Sequence, residues 1–289
     1  MKTYNEMFLE ARKRLKNAGI EAYSLEARLI MIAATGKTRE EYARDMQLYA
    51  PDELEEKLDG MLARRIAGEP VAYITGEWEF YGITLNMTPD VLVPRIDTEV
   101  LAEKAIEELN SRESGARVLD LCCGSGCVGM AIAANTAGCR IVLADNSAAA
   151  LNVCRSNLMR NSLTRSCTCI ETDALDTPPM LIGKFDMIVC NPPYIPSDDI
   201  KTLDASVRDF EPVAALDGGA DGLDFYRRII PEWKIVMKEG GCMMFECGIG
   251  QAEHIVRMME KNGYENVQLY KDTLGIDRVV KGIKGTEVE

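Results

Sequence analysis

The sequence has little histidine and a deficit of basic residues. Its single histidine, His254, follows Gly250 in a helical stretch, where a surface or capping residue is expected rather than a catalyst. Lys and Arg number 33 against 46 Asp and Glu, and the net charge is −13. Because affinity for nucleic acid depends on Lys and Arg contacts to phosphates, we expect no direct contact with nucleic acid. The acidic balance suits a basic protein partner or simple solubility.

Spaced cysteine pairs are also missing, although the chain has ten cysteines. Cys122, Cys123 and Cys127 crowd one turn, while Cys167 and Cys169 lie in a strand-like run. A zinc site is typically signalled by C-x2-C pairs, and none occurs, so no metal is predicted. We expect reduced, mostly buried thiols, as in a cytosolic protein.

Long apolar runs are absent as well. No stretch reaches the about 18 apolar residues that a membrane span needs, and the segment from Met1 to Tyr4 begins no signal-peptide core. We therefore expect a cytoplasmic protein without membrane contact, and nothing demands more than a monomer. At 289 residues, of which 47% are hydrophobic, the chain can hold one large domain and one small domain.

Residues 1–75 predict a small helical domain. Four helices are indicated by their apolar spacing and end signals: a run ending at Gly19, a run capped by Ser24 and ending at Gly36, a run opened by the capping box Thr38–Glu41, and a run opened by Pro51 and Asp52. This domain is either a packing accessory or a module that docks a partner. The residues themselves favour neither interpretation strongly.

In residues 76–96 the residue pattern changes from helical spacing to alternation, which predicts a hairpin linker. Aromatic and β-branched residues alternate around Gly82, as in two short strands joined by a turn. Pro94 closes this segment. Asp97 or Thr98 is then expected to cap the helix that follows.

Residues 97–289 alternate between strand and helix patterns. Strands are predicted at 118–121, 140–144, 167–171, 185–190, 241–247 and near 265–270 and 277–281; helices are predicted at 126–135, 147–160, 223–238 and 250–262. This alternation predicts an α/β fold with a doubly wound, mostly parallel seven-stranded sheet. The last two strands suggest an antiparallel edge.

A nucleotide or cofactor site is indicated at the ends of the first strands. The strand Val118–Leu121 runs into the glycine turn Cys122–Gly126, and a small-residue helix follows, which is the arrangement of a phosphate or cofactor cradle. Asp145 ends the next strand, where a carboxylate can accept both ribose hydroxyls and would repel a 2′-phosphate. We therefore expect an unphosphorylated adenosyl ligand. The predicted cofactor-binding residues are Asp120, Cys122, Cys123, Gly124, Ser125, Gly126, Asp145, Asp173, Ala174 and Asn191.

Within that set, Asp173 ends the third strand and can accept from an adenine amino group, with Ala174 lining the pocket. A plain turn or cap role for Asp173 is an equally good interpretation.

The tetrapeptide Asn191-Pro192-Pro193-Tyr194 follows an apolar strand. Two prolines hold the backbone extended and supply no N–H, so the Asn191 side-chain oxygen and the Pro192 carbonyl can accept both hydrogens of an NH2 group. Tyr194 adds a flat wall for a planar group. Alone, the tetrapeptide is as consistent with a proline turn. The cofactor pattern beside it favours a receptor for an uncharged amide or nucleobase amine.

The loop from Ile195 to Gly222 is too long for a simple connector. Its acidic residues are Asp198, Asp199, Asp204, Asp209 and Glu211. The loop is either a solvated acidic segment or a flap that meets a basic partner surface.

Taken together, these segments resemble the bacterial peptide-chain release factor glutamine N5-methyltransferases, which are class I S-adenosylmethionine-dependent enzymes. The resemblance covers nearly the whole chain. It is carried by the segments 76–82, 94–99, 120–126, 191–196, 210–212 and 217–226. It implies a Rossmann-like methyltransferase domain, and it implies that the N-terminal helical domain docks the substrate.

The resemblance also implies an activity. A methyl group would pass from S-adenosyl-L-methionine to the side-chain amide nitrogen of the glutamine in the Gly-Gly-Gln motif of release factors. Asn191, Pro192 and Tyr194 would be catalytic, and Pro193 would join them in binding the substrate. Arg95 and Glu99 are marked by the resemblance alone.

One departure from the family stands at Cys122, where glycine is usual, and it predicts reshaped or weaker cofactor binding. A non-catalytic cofactor-binding scaffold is therefore one alternative. The other is an adenine N6-methyltransferase acting on DNA or RNA, which shares the Asn-Pro-Pro-Tyr element. Such an enzyme would need a basic groove and a pocket for a flipped base.

Overall fold

The computed structural model describes residues 1–112 and 115–285. The chain divides into two compact units. One unit comprises Met1–Glu77 and Asp204–Phe210, and the other comprises Trp78–Leu203 and Glu211–Glu289. Within the described residues, no helix is both long enough and apolar enough to span a bilayer.

The first unit is helical, as the sequence predicts. Its helices are α1 (Tyr4–Asn17), α2 (Tyr23–Thr35), α3 (Arg39–Asp45), α4 (Glu53–Ile66) and α5 (Val71–Thr75). Thr38 and Glu41 form the predicted capping box of α3, and Gly36 ends α2 in the left-handed conformation. Ser24, in contrast, does not cap α2. The helix starts at Tyr23, with Ala22 as its N-cap two residues before Ser24, so Ser24 lies inside its first turn.

A two-stranded sheet of β1 (Glu77–Phe80) and β2 (Ile83–Asn86) follows, and from Trp78 onward it belongs to the second unit. A short 3-10 turn, Ile96–Thr98, then leads into α6 (Glu99–Asn110). Thr98 stands at the N-cap position of α6, but its side chain makes no cap hydrogen bond. The predicted cap is therefore wrong, because that hydroxyl is used elsewhere.

The main sheet has seven strands in the order β5-β4-β3-β6-β7-β9-β8. β9 pairs antiparallel with both β7 and β8, and the other pairs are parallel, which confirms the predicted fold class. The strands are β3 (Arg117–Leu121), β4 (Arg140–Asp145), β5 (Cys167–Glu171), β6 (Phe185–Cys190), β7 (Met237–Glu246), β8 (Tyr264–Lys271) and β9 (Asp277–Lys284). The helices of this unit between them include α7 (Cys127–Asn135), α8 (Ala148–Arg160), α10 (Asp224–Glu232) and α11 (Ala252–Lys261), whereas α9 (Ala205–Arg208) belongs to the helical unit.

The segment predicted as one helix over 223–238 is shorter in the structure. α10 ends at Glu232, directly after Pro231, which lacks the N–H that a continuing helix needs. A 3-10 turn, Trp233–Val236, follows, and β7 already begins at Met237. Trp233 is fully buried and donates its indole N–H to the Ala174 carbonyl at 3.0 Å, which anchors this early turn.

The long loop after β6 contains local structure. It includes 3-10 turns at Asp199–Thr202 and Val213–Ala215 in addition to α9. Glu211, expected among the acidic residues of a solvated loop or flap, is instead buried and paired with Arg95. The prediction that Glu211 is a solvent-facing loop residue is wrong, because its carboxylate pairs with Arg95 in the same unit.

Strand order decides where a ligand can enter. The chain builds β3, β4 and β5 outward in one direction and then returns to place β6 on the other side of β3. The connections above β3 and β6 therefore diverge and leave a crevice at their carboxyl ends, where open α/β sheets bind ligands.

Candidate active site

A cavity of about 140 Å³ lies at the carboxyl ends of the central strands. Most of the predicted cofactor residues line it: Asp120, Cys122, Cys123, Gly124, Ser125, Asp145, Asp173, Ala174 and Asn191. Pro193 also lines it, together with residues that the sequence did not single out, among them Val91, Thr98 and Phe225. Gly126, Pro192 and Tyr194 lie outside this lining.

The glycine turn above β3 is tied to the tip of β4. Asp145 accepts the backbone N–H of Gly124 on Oδ2 at 2.8 Å and that of Ser147 on Oδ1 at 3.0 Å. Burial raises the pKa of Asp145, and these backbone donors oppose the rise. Each carboxylate oxygen retains a further lone pair. Asp145 can thus hold the turn and still accept from a ribose hydroxyl.

The two glycines of the turn serve different purposes. A Cβ at Gly124 would meet no heavy atom within 4 Å, so the backbone there borders open space. A Cβ at Gly126 would come within 2.7 Å of the Cys154 Sγ and the Met130 Cε. Gly126 also has a φ of 82°, in the left-handed region that favours glycine, so its backbone conformation as well as the packing beneath the turn favours glycine there, whereas Gly124 leaves room for a ligand.

Asp120 lies under the turn rather than at its rim. Its side chain is buried, and Oδ2 accepts the Gly129 backbone N–H of α7 at 2.8 Å. Burial raises the pKa of Asp120 to about 7, against the effect of that donor. The carboxyl thus joins the end of β3 to the start of α7.

Asp173 and Ala174 lie at the far end of the cavity. Asp173 Oδ1 accepts the Leu175 backbone N–H at 2.8 Å, which is a turn-closing bond. Its other oxygen, Oδ2, is 3.4 Å from Asn146 Nδ2. The turn role of Asp173 is thus visible, and its contact with an adenine amino group stays a prediction.

The cysteines near the cavity are free thiols. Cys122 has a φ of 62°, a left-handed conformation that glycine adopts more readily. Burial raises the pKa of the neighbouring Cys190 thiol, with Cys122 as its hydrogen-bonding neighbour. The Sγ atoms of Cys154 and Cys169 are 3.6 Å apart. Across the described residues, no group of Cys, His, Asp or Glu is arranged to hold a metal ion.

The Asn-Pro-Pro-Tyr element leaves β6 at the cavity. Asn191 donates from Nδ2 to the Thr98 Oγ1 at 3.3 Å. Its Oδ1, the other polar atom of the planar amide, has no hydrogen-bond partner among the described residues. Pro192 and Pro193 are buried. Tyr194 donates its hydroxyl to Glu246 Oε1 at 3.3 Å, and its carbonyl accepts from Gln251 Nε2 at 2.8 Å.

Glu246 is the main site residue that the sequence analysis missed. It ends β7, and the β6–β7 register, which pairs Cys190 with Phe245, places it beside Asn191. Its side chain is 1% exposed, and its Oε2 has no hydrogen-bond partner among the described residues. Burial raises the pKa of Glu246 to about 7, while Thr98, Arg278 and Tyr194 oppose the rise. An acid at the end of an apolar strand was the available signal, as at Asp145.

The segment from Pro94 to Glu99 acquires specific contacts. Arg95 pairs with Glu211, with 2.6 Å between Nη2 and Oε1. Asp97 lies 3.3 Å from Arg278 Nη2, and Glu99 Oε1 accepts the Tyr81 backbone N–H at 2.9 Å. With Thr98 bound to Asn191, every polar side chain of this segment holds part of the site or its surroundings.

The Asp217–Tyr226 segment packs directly on the Asn-Pro-Pro-Tyr backbone. The Gly218 N–H donates to the Ile195 carbonyl at 2.9 Å. A Cβ at Gly218 would lie 2.7 Å from the Tyr194 Cα, and one at Gly222 would clash with the Tyr194 carbonyl oxygen. These glycines permit the close approach that fixes Tyr194.

A second, wider groove of about 870 Å³ lies on the other side of Tyr194. It is lined by residues of the loop after β6, of α10, of the β7–α11 turn and of α11, and these include Asp199, Asp221, Arg227, Ile249 and the exposed His254. Asn191 thus lines the cavity of cofactor type, and Tyr194, three residues further along the chain, lines the groove.

Comparison with known proteins places this chain in a family. A model described as the PrmC N-terminal domain matches residues 6–76, and one described as the methyltransferase small domain matches residues 96–208. The release factor glutamine methyltransferase of Geobacter sulfurreducens is 40% identical over 94% of this chain and 93% of its own length. The enzyme of the same name from Clostridium botulinum is 33% identical over 96% of this chain and 98% of its own length.

The chain belongs to the release factor glutamine methyltransferase family. It is thus an enzyme of the methyltransferase class, as the sequence analysis predicts. A solved methyltransferase from Pyrococcus furiosus matches 79% of this chain and all of its own, with a TM-score of 0.52 and 17% identity. That likeness bears on the fold alone, and it agrees with the sheet described above.

Proposed function

We propose that this protein transfers a methyl group from S-adenosyl-L-methionine to the side-chain amide nitrogen of the glutamine in the Gly-Gly-Gln motif of peptide-chain release factors. The observation that carries the proposal is the Asn191 amide. Asn191 lines the cavity, and its Nδ2 donates to the Thr98 Oγ1 at 3.3 Å, so Oδ1 is the part of the amide that would accept from a substrate. An acceptor in that position suits a substrate that presents an uncharged NH2.

The residues of the cavity fit an adenosyl cofactor. Asp145 would hold the ribose, the backbone at Gly124 would border the amino-acid part, and Asp173 with Ala174 would face the adenine. The cofactor supplies an activated methyl group on a sulfonium. The protein contributes orientation, because its turn is already held by the bonds from Asp145 to Gly124 and Ser147.

The chemistry asks mainly for positioning. An amide nitrogen is a weak nucleophile, since its lone pair is delocalised into the carbonyl. Alignment of reacting groups can lower a barrier by about 7–11 kcal/mol in favourable cases. The Asn191 Oδ1 and the Pro192 carbonyl would hold the NH2 group and stabilise the positive charge that develops on nitrogen. Pro193 and Tyr194 would flank the glutamine side chain.

Substrate capture would involve more than the catalytic residues. The helical unit that contains residues 1–75 would dock the release factor, and the loop after β6 would face a basic surface of that partner. The net charge of −13 suits such a surface and disfavours nucleic acid. A monomer in the cytoplasm stays a prediction from the sequence.

A single assay tests this function against its alternatives. The purified protein is incubated with methyl-labelled S-adenosylmethionine and offered a release factor, the same factor with the motif glutamine changed to alanine, duplex DNA or ribosomal RNA. We expect label on the intact release factor only. Label confined to nucleic acid would support adenine methylation instead. Cofactor binding without any label would support a scaffold.

A further inference from the structure

We propose that Gln251 is a positioning residue for the transfer, and that its side-chain amide holds the Tyr194 backbone, and through it the Pro192 carbonyl, in place. This inference rests on the proposed function, because the Pro192 carbonyl is one of the two acceptors assigned to the substrate NH2. Gln251 stands at the N-cap position of α11. Its half-buried side chain reaches the segment that follows β6.

The Gln251 amide joins three separate segments of the chain. Its Nε2 donates to the Tyr194 carbonyl at 2.8 Å and to the Gly222 carbonyl at 3.2 Å. Its Oε1 accepts the Gly248 backbone N–H at 2.9 Å. Tyr194 lies 57 positions from Gln251 in the chain, and Gly222 lies 29 positions from it. One planar group thus ties the Asn-Pro-Pro-Tyr element to the segment before α10 and to the β7–α11 turn.

The polarity of these hydrogen bonds fixes the orientation of the amide. Both partners of the Gln251 Nε2 are carbonyl oxygens, which accept, and the partner of its Oε1 is an N–H, which donates. A turned amide would set its oxygen against two oxygens and its NH2 against an N–H. The site therefore asks for a group that donates two hydrogens from one atom and accepts at the other. Glutamine does this, whereas an ionised glutamate can only accept.

Close packing leaves the Gln251 amide little freedom to move. A Cβ at Gly248 would lie 2.9 Å from the Gln251 Oε1 and 3.1 Å from the Tyr194 Cδ2, and one at Gly222 would clash with the Gln251 Nε2. The Gln251 backbone N–H also donates to the Gly248 carbonyl at 3.2 Å, which closes the turn before α11. The two glycines thus let the amide reach Tyr194, and the turn holds the base of its side chain.

The two prolines make this contact important for the substrate acceptors. Pro192 and Pro193 have fixed φ angles and no N–H, so neither can be anchored as a hydrogen-bond donor. Gln251 holds the element at Tyr194, the first residue after them. A shift of the Tyr194 backbone is carried back through the stiff proline pair to the Pro192 carbonyl. Because small misplacements of groups that align a reaction are costly, the loss of this anchor should lower turnover.

The place of Gln251 separates turnover from cofactor binding. Its side chain lines the open groove and lies outside the lining of the cavity of cofactor type. Its replacement should therefore lower kcat and leave cofactor binding nearly unchanged. The charged and titratable groups around it are Glu246, which accepts from the Tyr194 hydroxyl, and the groove residues Asp199, Asp221, Arg227, His254 and Arg278. Because each variant below keeps all of these groups, kcat is compared as a ratio to the wild type at the same pH.

Kinetics with two variants of Gln251 test the inference. In Gln251→Glu at about pH 8.5 the ionised carboxylate faces two carbonyl oxygens with no proton to give, and we expect kcat to be lower by about 10–100-fold. The KM for S-adenosylmethionine should stay within a few-fold of the wild-type value. Gln251→Met has a similar length and no donor, so its kcat should be lower at every pH. Gln268→Glu, the same change at an exposed position of β8, is the matched control and should keep wild-type kcat.

The pH profile distinguishes a lost donor from general damage. The two carbonyl oxygens raise the pKa of the carboxyl in Gln251→Glu, and its protonated form can donate to Tyr194 again. The ratio of its kcat to the wild-type kcat should therefore rise by about 10-fold between about pH 8.5 and about pH 6. The same ratio should stay flat for Gln251→Met and for Gln268→Glu. A flat ratio for Gln251→Glu, or wild-type kcat in both Gln251 variants, would show that the inference is wrong.

A second measurement does not depend on turnover. Hydrogen exchange, followed by NMR, reports on the N–H groups of Ile195 and Gly218, which both donate to carbonyls of the loop after β6. Both should exchange about 10-fold faster in Gln251→Met than in the wild type, because the backbone beside them loses its anchor. The Gly124 N–H, bound to Asp145, should exchange at the wild-type rate.

The two measurements keep the inference apart from the proposed function. If the wild type methylates no release factor, the proposed function fails, while the exchange rates in Gln251→Met still test the anchor. If Ile195 and Gly218 exchange in Gln251→Met as they do in the wild type, the inference is wrong whether or not a release factor is methylated. Gln251→Met, which adds no charge, also carries the test if Gln251→Glu does not fold.

Discussion

Arg95 and Glu211 form an ion pair across 116 positions of the chain, with 2.6 Å between Nη2 and Oε1. The Glu211 side chain is 1% exposed and that of Arg95 is 38% exposed. Glu211 Oε2 also accepts the Val93 backbone N–H at 3.3 Å. Burial raises the pKa of Glu211, and Arg95 opposes the rise. The pair links the segment before α6 to the end of the long loop.

The two partners should respond unequally to removal. Arg95→Met leaves a buried carboxylate without its cation, and we expect a loss of about 2–3 kcal/mol in the free energy of unfolding, below the range for fully buried pairs because Arg95 is partly exposed. Glu211→Gln leaves an arginine that can reach water, and we expect a loss of about 1 kcal/mol. Urea denaturation measures both. Equal losses would contradict this asymmetry.

The stability of Arg95→Met should also depend on pH. With the cation gone, the pKa of Glu211 in the folded state rises further above its unfolded value, so the folded state binds the extra proton. Stability is then retained below the unfolded pKa of about 4.3 and lost as the pH rises through the folded pKa. Urea midpoints at about pH 5 should exceed those at about pH 8 by more in Arg95→Met than in the wild type. If the urea midpoints of Arg95→Met and of the wild type change equally with pH, the prediction is wrong.

Asn191→Ala should separate turnover from cofactor binding. Removing Oδ1 removes an acceptor for the substrate, and we expect kcat to fall by about 100-fold. The affinity for S-adenosylhomocysteine should change by only a few-fold, because the predicted cofactor contacts come mainly from the β3 and β4 tips. Kinetics and calorimetry measure the two quantities. Asn152→Ala, on the exposed face of α8, is the control. Near-normal turnover would remove Asn191 from the mechanism.

Gly218→Ala should disturb the site by steric means alone. The added Cβ would lie 2.7 Å from the Tyr194 Cα and 2.8 Å from the Pro193 carbonyl oxygen, so that backbone must move. We expect kcat to fall by about 10–100-fold, since small misplacements of catalytic groups are costly. Gly60→Ala in α4 meets nothing within 4 Å. It should keep wild-type activity and gain about 0.5–1 kcal/mol of stability. If Gly218→Ala is as active as Gly60→Ala, the contact does not position Tyr194.

Cys122→Gly tests the departure from the family pattern. The φ of 62° costs a non-glycine residue about 1–2 kcal/mol, so glycine at this position relieves that strain. The greater conformational entropy of glycine in the unfolded chain offsets about 0.5–1 kcal/mol of the gain in folding stability. We expect nearly unchanged stability and tighter binding of S-adenosylhomocysteine, because a side chain that lines the cavity is removed. Cys122→Val should lower both the stability and the affinity, and Cys139→Ala, outside the cavity, should leave the affinity unchanged. Weaker binding by Cys122→Gly would show that the thiol is a useful contact.

Much of the fold follows from local patterns. β6 begins and ends at the predicted residues because its apolar run is bounded by Lys184 and by the Asn191-Pro192 step. The Thr38–Glu41 capping box and the Gly36 stop also follow, since each depends on contacts within a few residues. Ser24 shows the limit of such rules, because the backbone can start a helix at Ala22 without any side-chain cap.

The sequence by itself determined the strand–turn–helix units, their alternation, and the nearness of Asn191 to the glycine turn, since all of these are encoded by local periodicity and by the rule for parallel sheets. Only the tertiary structure decided which side chains Asn191 and Tyr194 contact. Thr98 lies 93 positions from Asn191, and Glu246 lies 52 positions from Tyr194. Those partners meet because the sheet order sets β6 between β3 and β7, and because the β6–β7 register ends both strands at the same level.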